Sequence, residues 1–154
     1  LLDAVRYVPE YFRGQPPAKG AENRLPYSIL IVDDSAPLRH ALRSWIERDE
    51  NWLICGEAEN GRVAVEKVKE LRPDVVILDL EMPVMNGLEA GREIALFAPH
   101  ITMVMFTMHS SEQLVKAAHA AGIREVVSKS AENPDHLLSV LRSACDARTE
   151  VDLA

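Results

Sequence analysis

From Tyr27 onward, apolar positions fall into two patterns that take turns along the chain. Short apolar runs at Ser28–Val32, Trp52–Glu57, Val75–Leu78, Ile101–Phe106 and Glu125–Val127 predict strands. Between and after them, apolar residues recur at helical spacing. Leu38, Ala41, Leu42, Trp45 and Ile46 mark a first helix, and Ala64, Val68 and Leu71 a second. Leu88, Gly91 and Ala95 mark a third, Leu114, Ala117, Ala118 and Ala121 a fourth, and Leu137, Leu138, Leu141, Ala144 and Cys145 a fifth. Several boundaries have a local cause. Ser35 stands as an N-cap with Pro37 early in the first helix. Pro73 and Pro99 close the second and third helices, and Gly122 sits where a C-cap is expected.

Strands that are apolar throughout are buried on both faces. Strict strand–helix alternation then predicts an α/β fold, a parallel sheet with helices on both sides. Five such units fit a doubly wound five-stranded sheet of order 2-1-3-4-5. Residues 1–26 read differently. Asp3, Arg6, Glu10 and Arg13 interleave with Val5, Tyr7, Val8, Tyr11 and Phe12, and Gly14, Pro16, Pro17, Gly20 and Pro26 follow. This is the composition of a peripheral leader and linker. The domain is expected over 27–147, with 148–154 as an exposed tail.

Composition narrows the picture. A chain of 154 residues accommodates one ordinary domain. Apolar residues make up 47% and aromatics only 5%, so the core must be built from Val, Ile, Leu, Ala and Met. A net charge of -7 gives no overall field for attracting nucleic acid. No apolar run approaches the roughly 20 residues that span a bilayer, and no secretory signal pattern opens the chain. Cys55 and Cys145 lie far apart without metal-type spacing and read as reduced core cysteines. These features predict a cytoplasmic protein without membrane contact. The absence of an initiator Met leaves open that the chain is part of something longer.

In doubly wound sheets, ligands bind beyond the carboxyl ends of the strands near the topological switch point. The first and third strands meet there, and they end in Asp33–Asp34 and Asp79. Three carboxylates on one crevice repel one another unless a cation intervenes. A hard divalent ion such as Mg²⁺ suits that donor set. The plainer reading makes Asp33 and Asp34 caps of the first helix, a role Ser35 already fills. Thr107 ends the fourth strand and Lys129 follows the fifth, so a hydroxyl and an ammonium are expected in the same crevice. Together these groups suit the handling of a phosphoryl group, with an aspartate as nucleophile.

Ser28 to about Ala147 resembles the receiver domain of two-component response regulators, which are CheY-like and flavodoxin-like in fold. The resemblance rests on Ile31-Val32-Asp33-Asp34-Ser35, on Asp79-Leu80-Glu81-Met82-Pro83-Val84-Met85-Asn86-Gly87, on Phe106-Thr107 and on Ser128-Lys129-Ser130. It implies a signalling switch rather than an enzyme with an external substrate. Asp79 would be phosphorylated by a histidine kinase or phosphotransfer protein. Asp34 would bind Mg²⁺ directly, Asp33 through water, and Glu81 through its backbone carbonyl. Thr107 and Lys129 would grip the phosphoryl group. Pro83 and Asn86-Gly87 would shape the loop, Gly87 supplying a permissive backbone.

Three positions depart from the family pattern. Val126 replaces the usual aromatic, Ser130 the frequent Pro after the Lys, and Met108 a small residue after the Thr. Without an aromatic to swing, the signal is expected to travel through the fourth helix and fifth strand. A second copy of the chain would dock on helix four, strand five and helix five, where Ala117 to Ala121 would offer an exposed small-residue patch. Thr107-Met108-His109-Ser110-Ser111-Glu112 and Ala120-Ala121-Gly122 resemble most the subfamily with a C-terminal helix-turn-helix. Beyond the last helix only Arg148–Ala154 remain, so either that output domain lies outside this sequence or the protein acts by docking alone. Three other readings stay beside this one. A phosphorylation-independent receiver-like binding module draws on Val126 and Ser130. An aspartyl phosphohydrolase lacks its Asp-x-Asp after the first strand, and a flavin site would meet an acidic first loop.

Overall fold

A computed structural model describes residues 25–129 and 135–152. The order is β1 (Tyr27–Val32), α1 (Ala36–Ile46), β2 (Trp52–Ala58), α2 (Gly61–Leu71), β3 (Val75–Leu78), α3 (Gly87–Phe97), β4 (Thr102–Thr107), α4 (Glu112–Ala120), β5 (Glu125–Ser128) and α5 (Asp135–Asp152). The strands form one sheet in the order β2-β1-β3-β4-β5, and every neighbouring pair is parallel. The expected fold class and strand order are those observed. The expected leader lies outside the described residues apart from Leu25 and Pro26, and so does Ser130.

Side-chain caps start four helices where loops leave the carboxyl edge of the sheet. Ser35, Asn60, Asn86 and Ser111 accept hydrogen bonds from the main-chain N–H groups of Leu38, Val63, Glu89 and Leu114, each satisfying a donor the helix leaves free. Alternating side chains on the buried strands feed two cores. Leu30, Val32, Val76, Leu78, Met103 and Met105 pack with residues of α2, α3 and α4. Ile29, Ile31, Val75, Ile77, Val104 and Val127 pack with Leu42 and Ile46 of α1 and Leu137, Leu141 and Cys145 of α5. At the amino edge, buried Asp74 ties strand starts together. Its carboxylate accepts from Ser28 N–H and Oγ–H at 2.9 and 3.2 Å, and its carbonyl accepts from Thr102 N–H at 3.1 Å.

The β1–β2 register shifts between Ile29 and Leu30, which pair with Ile54 and Gly56. Cys55 falls between those two partners, and its thiol donates to the Ile29 carbonyl at 3.4 Å. Burial pushes this thiol up to about 12, so it stays protonated and unreactive at neutral pH. Neither cysteine is joined in a disulfide, as expected.

Three expectations need correcting. Helix α5 runs on to Asp152, so most of the expected tail prolongs the helix. The Ala117–Ala121 segment is only in part an exposed patch: Ala120 is exposed and Ala117 partly so. Ala118 and Ala121 are buried in the core with Ile123, because the apolar stripe that makes α4 a helix also turns those alanines inward. Gly87 shows no positive φ. Its need is space: a Cβ there would lie 2.1 Å from the Asp79 carbonyl oxygen. The left-handed residue of that loop is Val84, at φ 69°. Gly122, at φ 89°, follows α4 as anticipated.

Candidate functional site at the carboxyl edge of the sheet

Parallel register brings the site together. Val32 pairs with Leu78, so Asp33 and Asp79 emerge side by side, and Asp79 N–H donates to the Val32 carbonyl at 2.9 Å. Thr107 pairs with Ser128, and Lys129 N–H donates to the Thr107 carbonyl at 2.8 Å. Carboxylate oxygens of Asp33, Asp34 and Asp79 all lie within 4.8 Å of one another. Asp33 and Asp79 are buried and Asp34 is exposed. Lys129 Nζ reaches Asp33 Oδ2 at 2.6 Å and Asp79 Oδ2 at 3.1 Å. Thr107 is buried at the end of β4. Glu81 lies exposed in the loop two residues past Asp79.

Electrostatics follow from this geometry. Burial pushes the Asp79 carboxyl above its usual range, and the Asp33 charge adds to the effect; Lys129 opposes it without cancelling it. Burial alone would lower Lys129, but its bonds to Asp33 and Asp79 outweigh that and hold it above the ordinary lysine value. Lys129 is therefore a cation at neutral pH. One ammonium against three carboxylates leaves a surplus of two negative charges. An all-oxygen donor set with that surplus fits a hard divalent cation.

Asp33 is the most constrained of the acids. Its Oδ1 accepts from Ser35 N–H at 2.8 Å, so it also serves the local loop, while Ser35 and not Asp33 caps the helix. Its own N–H donates to the Ala58 carbonyl at 3.0 Å. Sequence reasoning missed the group that holds its carbonyl. Arg39 donates to the Asp33 carbonyl through Nη1 and to Glu57 Oε1 through Nε at 3.1 Å. Arg43 holds the other Glu57 oxygen, at 3.1 Å from Nε and 3.0 Å from Nη2. A basic residue one turn into α1 facing an acid at the end of β2 was the available signal. Exposed helix arginines are too common for it to stand out without coordinates. Leu80 N–H donates to Asp79 Oδ1 at 2.8 Å, leaving Oδ2 toward Lys129. Met108, 56% exposed, does not pack into the core. Val126 is partly buried against the core on the α4 side.

Residues 29–142 match the family model described as the response regulator receiver domain. The chain is 40% identical over 101 residues to the chemotaxis protein CheY of Thermotoga maritima, covering 66% of this chain and 83% of that protein. It is 43% identical over 109 residues to a protein-glutamate methylesterase/protein-glutamine glutaminase of Methanosarcina acetivorans, covering 69% of this chain but only 31% of that protein. The crystal structure of a LuxR-family DNA-binding response regulator from Staphylococcus aureus superposes with a TM-score of 0.71 at 28% identity, covering 77% of this chain and 98% of that one. The matched segment contains β2 to β5, β1 from Ile29 onward, and every acid of the crevice. With sheet order, strand-end acids and sequence similarity agreeing over the same residues, the chain belongs to the response regulator receiver domain family.

Proposed function

We propose that this chain is a phosphorylation-dependent switch in which Asp79 accepts a phosphoryl group from a histidine kinase or phosphotransfer protein. The observation that carries the reading is the position of Asp79 Oδ2, 3.1 Å from Lys129 Nζ within a cluster of three carboxylates. A carboxylate whose proton affinity is raised by burial is also a better nucleophile. Oδ2 attacks phosphorus, the bond from phosphorus to the donor nitrogen breaks, and the electron pair leaves with the donor imidazole, which then takes up a proton. Lys129, 3.1 Å from Asp79 Oδ2, would shift from Asp79 to a phosphoryl oxygen, and the Thr107 hydroxyl would donate to another. Mg²⁺ would be held by Asp34 directly, Asp33 through water, Asp79, and the Glu81 carbonyl, and when bound supplies further neutralisation of phosphoryl charge.

The signal then passes through the β4–α4 loop, α4 and β5, since Val126 is too short and stiff to act as a rotamer switch. The likeness to a LuxR-family DNA-binding response regulator is in line with membership of the helix-turn-helix subfamily. Docking of a second copy through α4, β5 and α5 remains part of this reading, with Ala117 and Ala120 as the accessible small residues of α4. Among the described residues no helix is long and apolar enough to cross a membrane, in keeping with a cytoplasmic site of action.

Incubation with acetyl phosphate and Mg²⁺, read by intact mass, tests the central claim. One phosphoryl increment is expected in the wild type and none in Asp79→Asn. An increment in the folded Asp79→Asn variant would place the acceptor elsewhere. An unmodified wild type would favour the phosphorylation-independent module.

A further inference from the structure

The acids of the crevice are held by more than their own loop. Asp33 contributes the carbonyl of the Asp33–Asp34 peptide bond, and Arg39 donates to that oxygen. Fixing the carbonyl fixes the peptide plane, and with it the direction in which Asp34 leaves the chain. Arg39 is in turn braced. Its Nε bonds to Glu57 Oε1 at 3.1 Å, Arg43 holds Glu57 Oε2 at 3.0 Å, and Lys67 Nζ donates to the Glu57 carbonyl at 2.6 Å. The Arg39 side chain is 16% exposed and Glu57 31%. The planar guanidinium fork spans two acceptors at set angles, which one ammonium cannot reproduce.

We infer that Arg39, braced by Glu57, is a positioning residue that orients the Asp33–Asp34 peptide and so sets the affinity of the acid crevice for a divalent cation. It touches neither the cation nor the phosphoryl group. The inference rests on the proposed Mg²⁺-dependent function of the same crevice. Charge and geometry give opposite expectations, which makes it testable. Arg39 is a cation at the main chain of the acid crevice, so deleting its charge should tighten the binding of another cation. Deleting its hydrogen bonds should loosen the peptide and weaken binding, by about tenfold on the scale seen when groups behind metal ligands are removed.

The experiment is calorimetric titration of the full chain with MgCl₂, together with melting curves in EDTA. Arg39→Gln is expected to bind Mg²⁺ about tenfold more weakly than the wild type. Arg39→Lys keeps the charge but loses the fork, and is expected between the two. Arg142→Ala is the control, since it removes a partly exposed ion pair with Asp49. It should melt lower yet bind Mg²⁺ like the wild type. Arg39→Gln binding Mg²⁺ as tightly as the wild type, or more tightly, overturns the inference. Equal weakening in Arg142→Ala also overturns it, because general destabilisation would then be the cause. Should Arg39→Gln not fold, Arg39→Lys decides, wild-type affinity there overturning the inference. No Mg²⁺ response in the wild type would instead overturn the metal reading itself, and this inference with it.

Discussion

At the scale of single residues, the loop after Asp79 carries a local cost. Val84 is β-branched, sits at φ 69° and is 76% exposed. Left-handed backbone is unfavourable for such a residue by about 1–2 kcal/mol, and its exposed side chain recovers little by packing. Glycine would relieve the strain at some entropic cost in the unfolded chain. Val84→Gly is therefore expected to stabilise the protein by about 0.5–1 kcal/mol, net of those two effects. Urea unfolding checks this, and a destabilised variant would mean that the valine side chain makes a contribution its exposure hides.

At the scale of elements, two polar contacts at the amino edge link segments distant in sequence. Asp74 joins the starts of β1, β3 and β4 from a buried position. Asp74→Ala strands the Ser28 donors, and the cost expected for unsatisfied buried groups is about 2–3 kcal/mol. Mg²⁺ affinity at the opposite edge should be unchanged, and equilibrium denaturation with a titration measures both. Asp49, in the turn after α1, accepts from Asn51 N–H at 2.9 Å and from Arg142 of α5 at 3.3 Å. Burial pushes its carboxyl up, but the Asn51 and Arg142 bonds outweigh that and leave it below its usual value. A depressed carboxyl contributes stability above its unfolded pKa and loses it as pH falls through the folded one. The wild type should therefore lose stability faster than Asp49→Asn as pH drops below about 4. Parallel melting curves for the two at pH 5 to 2 would count against the bond to Arg142.

At the scale of the whole molecule, the acid crevice is a site of stored repulsion opposite the Asp74 stitch. Three carboxylates face one ammonium across strand ends that the packed sheet cannot separate. Mg²⁺ should raise the melting temperature by mass action. Asp34→Ala should lose most of that rise, yet melt no lower than the wild type in EDTA, because one like charge has gone. The paired melting curves, with and without MgCl₂, carry the test. Identical Mg²⁺-dependent shifts in both proteins would move the metal site away from Asp34.

Much of this molecule was legible in its sequence, for reasons of range. Strand and helix periods are local, so all ten elements were readable and, apart from the carboxyl end of α5, bounded within a few residues, together with Ser35 as a cap and the 2-1-3-4-5 order. A parallel sheet places every strand's carboxyl end on one edge, so Asp33, Asp34, Asp79, Thr107 and Lys129 could be assigned to one crevice before any coordinate was known. Only tertiary structure decided who bonds to whom. Lys129 finds Asp33 across 96 positions of sequence, and Arg39 finds Glu57 across 18. Such partners depend on how helices rotate against the sheet, which periodicity leaves open by a side chain or two. The same rotation turned Ala118 and Ala121 inward. Close packing of the Asp79 loop against α3 set the space that Gly87 must leave free, a condition that no local pattern encodes.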